Sequence, residues 1–293
     1  MIKELLAIFC GLLLIVTAQA ESCIQPEKLV FSVIPSNKKK SELNIYQPIA
    51  NAILEQFQIP VELKKMDSYE QIVTELIMGN LHFAILGAFS YITVSSMNPS
   101  VKPFAVHYHA ANPPFQEEGS FYRSILIVHA DSSYYDIESL RGKTALLTEE
   151  GSTSGTLVPR VLFSKEIKVD RLNEFFSSIT YSGGHDTSVI EIANKKFEAA
   201  FVSAHNLSWM IKKGLIEEKK FRVLWESPPI PYGPYVYNTQ LCEKYLKAIR
   251  SVVLGVNDFA EGKAMLKKLG AIRLTTSKDS DYDVILELSK QRQ

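Results

Sequence analysis

The alternation of apolar and polar residues predicts two successive α/β units. In the first unit, short apolar runs typical of buried parallel strands alternate with segments whose apolar residues recur at helical spacing. These strands and helices are predicted in the order β-α-β-α-β at residues 29–34, 46–57, 61–63, 67–78 and 83–86. Either Asp67 or Ser68 is suited to cap the second helix, and Gly79 ends it. This order predicts a parallel sheet with helices on both faces.

The second unit has the same order of elements with few sequence identities. Strands at 144–147 and 199–202 enclose one helix that begins at Thr156 and another that is capped by Asp186 or Thr187. We therefore interpret the two units as an architectural repeat and not as a sequence duplication.

Two strand-like runs, 124–128 and 221–225, bracket the second unit, and several prolines after the latter restrict the backbone. This arrangement predicts two α/β lobes joined by two hinge crossings with a ligand cleft between them. Helices predicted at 243–259 and 282–289 rejoin the first lobe. The predicted domains are lobe 1 at 21–120 and 226–293, and lobe 2 at 121–225.

The first twenty residues have the organisation of a signal peptide. Lys3 precedes the apolar run 5–16, and residues 17–20 fit cleavage after Ala20. The alternative is an uncleaved anchor, but a run of roughly a dozen apolar residues is shorter than the ~20 that span a bilayer. The sequence therefore predicts export to the periplasm, with no membrane insertion after cleavage of residues 1–20.

The net charge, the histidines and the cysteines limit the kinds of partner and site that the protein can have. The chain has 32 basic and 32 acidic residues, so it lacks the basic excess that favours nucleic acid or anionic lipid. His107 and His109 alternate as on a strand, but no metal-ligand spacing occurs, and we predict no metal or cofactor. After cleavage, Cys23 and Cys242 form either a disulfide or two unpaired thiols, and the sequence leaves both alternatives open.

The segment Gly151–Gly155 has the composition of an oxyanion-binding loop. It lies between a predicted strand and a predicted helix, where three hydroxyl side chains and free main-chain N–H groups meet the positive end of the helix. An ordinary N-cap with small loop residues is the alternative. The loop is not a phosphate-binding Walker loop, because no lysine follows the second glycine at the required position.

Two further segments are expected to contribute residues to the same ligand cleft. The glycine turn Ser182–Thr187 directs His185 towards the cleft, unless Asp186 only caps the helix and the histidine lies at the surface. The segment Gly87–Tyr91 follows a strand of the first lobe, at the edge where open α/β sheets present ligands. A core position is the alternative for Tyr91.

Taken together, these segments resemble the phosphate, phosphite and phosphonate-binding proteins of ABC transporters. This resemblance implies the type II periplasmic-binding-protein fold, with two α/β lobes joined by two hinge crossings. The resemblance extends over most of the mature chain and depends on 46–50, 87–91, 152–155 with 157–159, 182–186 and 227–231. It implies a ligand site formed by Tyr46, Tyr91, Ser152, Thr153, Ser154, His185 and Asp186. In this site the three hydroxyl residues of the loop hold the oxyanion, the two tyrosines reach across from the other lobe, and Asp186 organises its turn.

The chain departs from the family's pattern at two positions. Family members that bind aminophosphonates present acidic side chains to the amine, whereas the segment Phe201–His205 contains no carboxylate. Glu226 is a candidate substitute. Ala88 stands where the family usually has proline. Both departures concern the organic part of the ligand more than its oxyanion.

The sequence therefore predicts a periplasmic solute-binding protein that delivers a phosphonate, or another small oxyanion such as phosphite, phosphate or a sulfonate, to an ABC permease. An alternative partner is a membrane histidine kinase that the protein regulates as a sensor subunit. A serine hydrolase is disfavoured because adjacent His185 and Asp186 diverge and because Ser154 lacks the glycine-x-serine-x-glycine elbow. We predict no catalytic residue.

Overall fold

Two β-sheets formed by different parts of the chain organise this computed structural model, which describes residues 23–35 and 43–292. The larger sheet has six strands, the second has five, and a two-stranded ribbon lies outside both. Numbered in chain order, the strands are β1 Leu29–Val33, β2 Val61–Leu63, β3 Phe83–Ile85, β4 Val101–His109, β5 Phe121–Tyr122, β6 Ser124–His129, β7 Thr144–Leu147, β8 Ser178–Tyr181, β9 Ala199–Ser203, β10 Phe221–Glu226, β11 Ile230–Pro231, β12 Tyr235–Asn238 and β13 Ala271–Thr276. The predicted signal peptide, 1–20, lies outside the described residues.

The helices cover the faces of the two sheets. They are α1 Gln47–Phe57, α2 Tyr69–Ile77, α3 Ala88–Met97, α4 Ser164–Glu166, α5 His185–Ala193, α6 Ala204–Lys212, α7 Glu243–Leu254, α8 Ala260–Leu269 and α9 Asp283–Lys290. Some predicted helices have other bounds or caps in the structure. The helix predicted at 243–259 is α7, which ends at Leu254. The helix expected from Thr156 begins earlier, as wide π-helical turns over Thr153–Leu157 and Pro159–Phe163. Helix α5 begins directly after Gly184, so its cap is neither Asp186 nor Thr187.

The larger sheet has the strand order β13-β4-β12-β3-β1-β2. Strand β1 pairs in parallel with β2 and β3, as the first unit predicts, while β12 is antiparallel to both of its neighbours. Alternate residues of the parallel strands face different hydrophobic clusters: Phe83 packs with residues of α1 and α7, and Ala84 with residues of α2 and α3. Both faces of this sheet are therefore buried.

The second sheet has the order β10-β6-β9-β7-β8, with β7 parallel to both β8 and β9. The chain passes from the first sheet to the second after β4 and returns after β10, and the two crossings pair side by side as the ribbon of β5 and β11. In this ribbon Tyr122 lies opposite Ile230. The fold is thus a two-lobed α/β structure with two adjacent crossings, as predicted.

The structure joins Cys23 to Cys242 in a disulfide, which decides between the two alternatives that the sequence leaves open. Their Cα atoms are 4.8 Å apart, within the usual range for this bond. The main chain is held at the same place, because the N–H of Cys242 donates to the carbonyl oxygen of Ile24 at 3.0 Å. The N-terminal end of the described chain is therefore fixed to the start of α7.

Candidate ligand-binding site

A cavity of about 270 Å³ lies between the two lobes. Its polar lining consists of the hydroxyl, imidazole, amide and ammonium side chains of Tyr46, Lys65, Tyr69, His107, His109, Tyr122, Ser152, Thr153, His185, Ser203, His205, Asn206, Tyr232 and Lys268. Among the described residues, no carboxylate side chain contributes to this lining. A lining rich in hydrogen-bond donors and free of fixed negative charge is suited to an anion.

The loop Gly151–Gly155 reaches the cavity shortly after β7. Ser152 caps the π-helical turns that follow, because its Oγ accepts a 3.0 Å hydrogen bond from the N–H of Gly155. Gly155 has no room for a side chain, since a Cβ atom there would overlap Oγ1 of Thr148. This close packing of the loop on the end of the strand fixes the direction in which its hydroxyl groups point.

Thr153 connects this loop to the other lobe. The N–H of Phe89, in the first turn of α3, donates to Oγ1 of Thr153 at 2.9 Å. The hydroxyl of Ser90 donates to the carbonyl oxygen of Gly151 at 3.1 Å. The lobes are therefore in contact at the loop, and the positive end of α3 lies beside it.

His185 is a neutral hydrogen-bond donor in this geometry. The N–H of Ser203 donates to its Nδ1 at 3.1 Å, so Nδ1 carries no proton. Burial lowers the pKa of His185 to about 4, and the imidazole is therefore neutral near pH 7 with its proton on Nε2. Nε2 lies 3.4 Å from Oγ of Ser152, at the cavity wall. This tautomer directs an N–H group towards the loop.

Two buried tyrosines complete the donor set around the loop. The hydroxyl of Tyr122 lies beside the side chains of Thr153 and Ser154, and that of Tyr69 lies beside the side chain of Ser152. Burial raises the pKa of both hydroxyls, so both stay protonated. On its cavity side, the loop is therefore accompanied by the neutral O–H and N–H groups of Tyr69, Tyr122 and His185.

The structure brings four of the seven sequence-predicted site residues to the cavity wall: Tyr46, Ser152, Thr153 and His185. Ser154 is fully buried beside Tyr122, and its carbonyl oxygen accepts a 2.6 Å hydrogen bond from Oγ of Ser124. Asp186 lies in the first turn of α5 and is not part of the lining. Both residues are adjacent to the site and support its shape.

Tyr91 and Glu226 lie away from the cavity. The hydroxyl of Tyr91 donates to the carboxylate of Asp279, and its ring packs edge-on against Tyr282 at 5.0 Å between centroids. Glu226 forms an ion pair of 3.0 Å with Arg123 and does not line the cavity, so it does not supply the acidic group considered from the sequence.

Sequence reasoning did not assign Tyr69, Tyr122, Tyr232 or His205 to the site, and it gave the alternation of His107 and His109 no role in it. Three of these six residues, Tyr122, Tyr232 and His205, lie in the crossings between the lobes or at the start of α6. The local pattern of apolar and polar residues does not indicate a ligand site in these segments. Burial lowers the pKa of His107 and His205 well below the usual range and that of His109 to about 4. Despite this density of imidazoles, the part of the chain that the structure describes contains no cluster suited to a metal ion.

Residues 31–282 match the model of a protein family described as ABC transporter, phosphonate, periplasmic substrate-binding protein. The chain belongs to this family. Family membership confirms the prediction of an extracytoplasmic binding protein that is not an enzyme. Within residues 23–35 and 43–292, no helix has the length and apolar character needed to cross a bilayer.

The chain is also similar in sequence to individual phosphate- and phosphonate-binding proteins. The chain is 24% identical over 278 residues to the phosphate-import protein PhnD of Mycolicibacterium smegmatis, covering 88% of this chain and 84% of that protein. It is 30% identical over 173 residues to the phosphonates-binding periplasmic protein of Escherichia coli, covering 57% and 50% respectively.

The crystal structure of PhnD1 from Prochlorococcus marinus in complex with methylphosphonate has the same fold. Its TM-score to this chain is 0.78 at 18% identity, covering 91% of this chain and 98% of that one. The two-lobed fold predicted from the sequence is therefore confirmed.

Proposed function

We propose that the protein captures a phosphonate, or the related oxyanions phosphite and phosphate, in the cavity between its lobes and delivers it to an ABC permease. The observation that carries this proposal is the convergence of neutral donors from Ser152, Thr153 and His185 on a cavity wall that has no described carboxylate. The functions of these relatives, phosphate import and phosphonate binding, support the same ligand class.

Each group around the loop has a proposed role. Ser152 and Thr153, with the main-chain N–H groups of their loop, hold the oxygens of the anion, and buried Ser154 packs behind them. His185 donates from Nε2, and Tyr46 approaches from lobe 1. Tyr69 and Tyr122 join this set because their hydroxyls flank the loop. The placement of Tyr91 does not support the role that the family resemblance implies for it.

Binding is proposed to proceed by capture followed by closure. The open cleft exposes the loop, the anion binds there, and closure forms the contacts between the loop and the start of α3. Each hydrogen bond to a charged group contributes roughly 1.5–3 kcal/mol once water is excluded. A few such bonds support submicromolar affinity, about −8 kcal/mol, after the cost of immobilising ligand and lobes.

The proximity of Ser152 to His185 does not form a hydrolase triad. In a triad the histidine donates from Nδ1 to a carboxylate, and its bare Nε2 accepts the proton of the serine. Here Nδ1 of His185 instead accepts the N–H of Ser203, which leaves the proton on Nε2. The histidine is arranged to donate a hydrogen bond and not to act as a base.

A thermal-unfolding screen against methylphosphonate, phosphite, phosphate, sulfate and methanesulfonate tests the proposal. A ligand at one hundred times its dissociation constant adds about 2.7 kcal/mol of apparent stability. Ser152→Ala should strongly reduce the response to the best phosphorus oxyanion, whereas Ser96→Ala, at an exposed helix position, should keep it. The proposal fails if no phosphorus oxyanion stabilises the protein, or if Ser152→Ala responds as the unaltered protein does.

We also propose that export removes residues 1–20 and that the lobes comprise 21–120 with 226–293, and 121–225. The membership of the strands in the two sheets supports the lobe boundaries. N-terminal sequencing of the exported protein checks the cleavage after Ala20.

A further inference from the structure

Beyond the oxyanion loop, the cavity is bordered by a row of stacked rings. Tyr122 and Tyr232 stack with centroids 4.8 Å apart and planes 18° apart. The ring of Tyr232 lies 4.4 Å from that of His109, which in turn lies 4.4 Å from that of His205. We call these four side chains the aromatic wall. Its Tyr122 end lies beside Thr153, and all four side chains line the cavity.

The charges around the aromatic wall are unsuited to a cationic group. Burial keeps His109 and His205 neutral by lowering the pKa of both imidazoles. Of the described lining residues, only Lys65 and Lys268 carry a full charge, and both are positive. An ammonium group in this cavity would lose its hydration without gaining a carboxylate partner, which is unfavourable. Ring faces attract cations weakly, but the two lysines oppose that attraction.

The cavity is larger than an oxyanion requires. At roughly 10–15 Å³ for each water-sized atom, the five heavy atoms of a phosphate occupy about a quarter of it. The total volume is about 270 Å³, and the apolar side chains of Met66, Trp209 and Leu269 border it together with the aromatic wall. The remaining space is therefore bordered by aromatic rings and apolar side chains, and its described lining contains no carboxylate.

We infer that the preferred ligand is a phosphonate or phosphate monoester whose substituent is uncharged and planar, and that this substituent lies on the aromatic wall. The inference rests on the proposed function, because it requires the oxyanion to occupy the loop. Flat groups gain from offset or edge contacts with Tyr232 and the imidazoles beside it. An aminoalkyl substituent finds no carboxylate partner among the described residues that line the cavity.

Calorimetric titration of the purified protein with two matched pairs of phosphonates tests the inference. Propylphosphonate and 2-aminoethylphosphonate differ only in a methyl against an ammonium group, and phenylphosphonate and cyclohexylphosphonate differ in planarity at similar size. We expect the propyl and the phenyl compound to bind about tenfold tighter than their partners. A ratio of one or less in either pair overturns the inference but leaves the proposed function intact. If no phosphorus oxyanion binds at all, the proposed function fails as well.

A substitution in the aromatic wall tests whether these rings cause the preference for a planar substituent. Tyr232→Leu should bring the phenyl-to-cyclohexyl ratio close to one while propylphosphonate affinity stays within about twofold. Tyr135→Leu, at a side chain that is 72% exposed, is the matched control and should keep the full ratio. An unchanged ratio in folded Tyr232→Leu overturns the inference. If that variant does not fold, His205→Leu provides the same comparison on the other end of the aromatic wall.

Discussion

The main-chain N–H of Phe89 donates a 2.9 Å hydrogen bond to Oγ1 of Thr153, and this bond joins helix α3 of one lobe to the oxyanion loop of the other. Both groups are buried, so the bond is shielded from water. The threonine oxygen accepts this bond, and its own hydrogen is oriented independently and can be donated to an anion. A single side chain thus couples the ligand loop to the contact between the lobes.

Thr153→Val preserves the shape of this side chain and removes its hydroxyl. The variant leaves the buried N–H of Phe89 without its acceptor and removes a donor to the anion, each at about 1–3 kcal/mol. We expect affinity for the best oxyanion, measured by calorimetry, to fall about thirtyfold or more. Thr239→Val removes a hydroxyl that donates to Ser100 on the protein surface and should leave affinity unchanged. An equal loss in both variants would contradict the role of Thr153.

Tyr122→Phe and Tyr91→Phe test which tyrosine binds the oxyanion. The structure places Tyr122 beside the loop, whereas the family resemblance implies Tyr91. The hydroxyl of Tyr122 lies beside the loop, whereas that of Tyr91 donates to Asp279 outside the cavity. We expect Tyr122→Phe to weaken oxyanion binding about tenfold or more. Tyr91→Phe should lower the free energy of unfolding by about 1 kcal/mol without changing affinity. Calorimetry and urea unfolding of both variants check this, and a loss of affinity in Tyr91→Phe would restore the role implied by the family resemblance.

The neutral state of His185 predicts how stability depends on pH. Burial lowers its pKa from 6.5 to about 4, so an unfolded chain takes up a proton on this side chain at a higher pH than the folded protein does. Its contribution is therefore fully present above pH 6.5 and is lost as the pH falls towards about 4. His185→Gln does not titrate and should remove about 1.4 kcal/mol per pH unit from the slope within that window. Urea unfolding across the window measures the slope. An unaltered slope in the variant would show that His185 takes up its proton at the same pH in the folded and the unfolded protein.

The disulfide between Cys23 and Cys242 closes a loop with a sequence separation of 219 residues. Because a long loop loses much entropy when it is closed in the unfolded chain, Cys242→Ser should lower the free energy of unfolding by about 2–5 kcal/mol. Neither cysteine lines the cavity, so oxyanion affinity should not change. Thermal unfolding with and without dithiothreitol provides the control: the reductant should destabilise the unaltered protein and have no effect on the variant.

Local sequence predicted those elements whose pattern is complete within a few residues. The apolar runs of β1, β7 and β9 and the helical spacing of α1 indicate buried strands and an amphipathic helix without reference to the rest of the chain. Strand β4 is long and pairs with both β12 and β13, and the sequence-based prediction did not include it as a strand of the sheet. Its place depends on partners more than a hundred residues away, which periodicity does not specify.

For the ligand site too, the sequence determined some features and the tertiary structure decided the others. By itself the sequence determined the two-unit α/β order and the loop of hydroxyl residues between glycines, because composition and position next to a strand define an anion-binding helix start. Only the tertiary structure decided which aromatic side chains meet that loop: Tyr122 does, from a crossing between lobes, and Tyr91 does not. Side-chain direction on α3 is set by packing against Tyr282, a contact across most of the chain. Tertiary packing, and not local pattern, therefore placed the donors around the oxyanion loop.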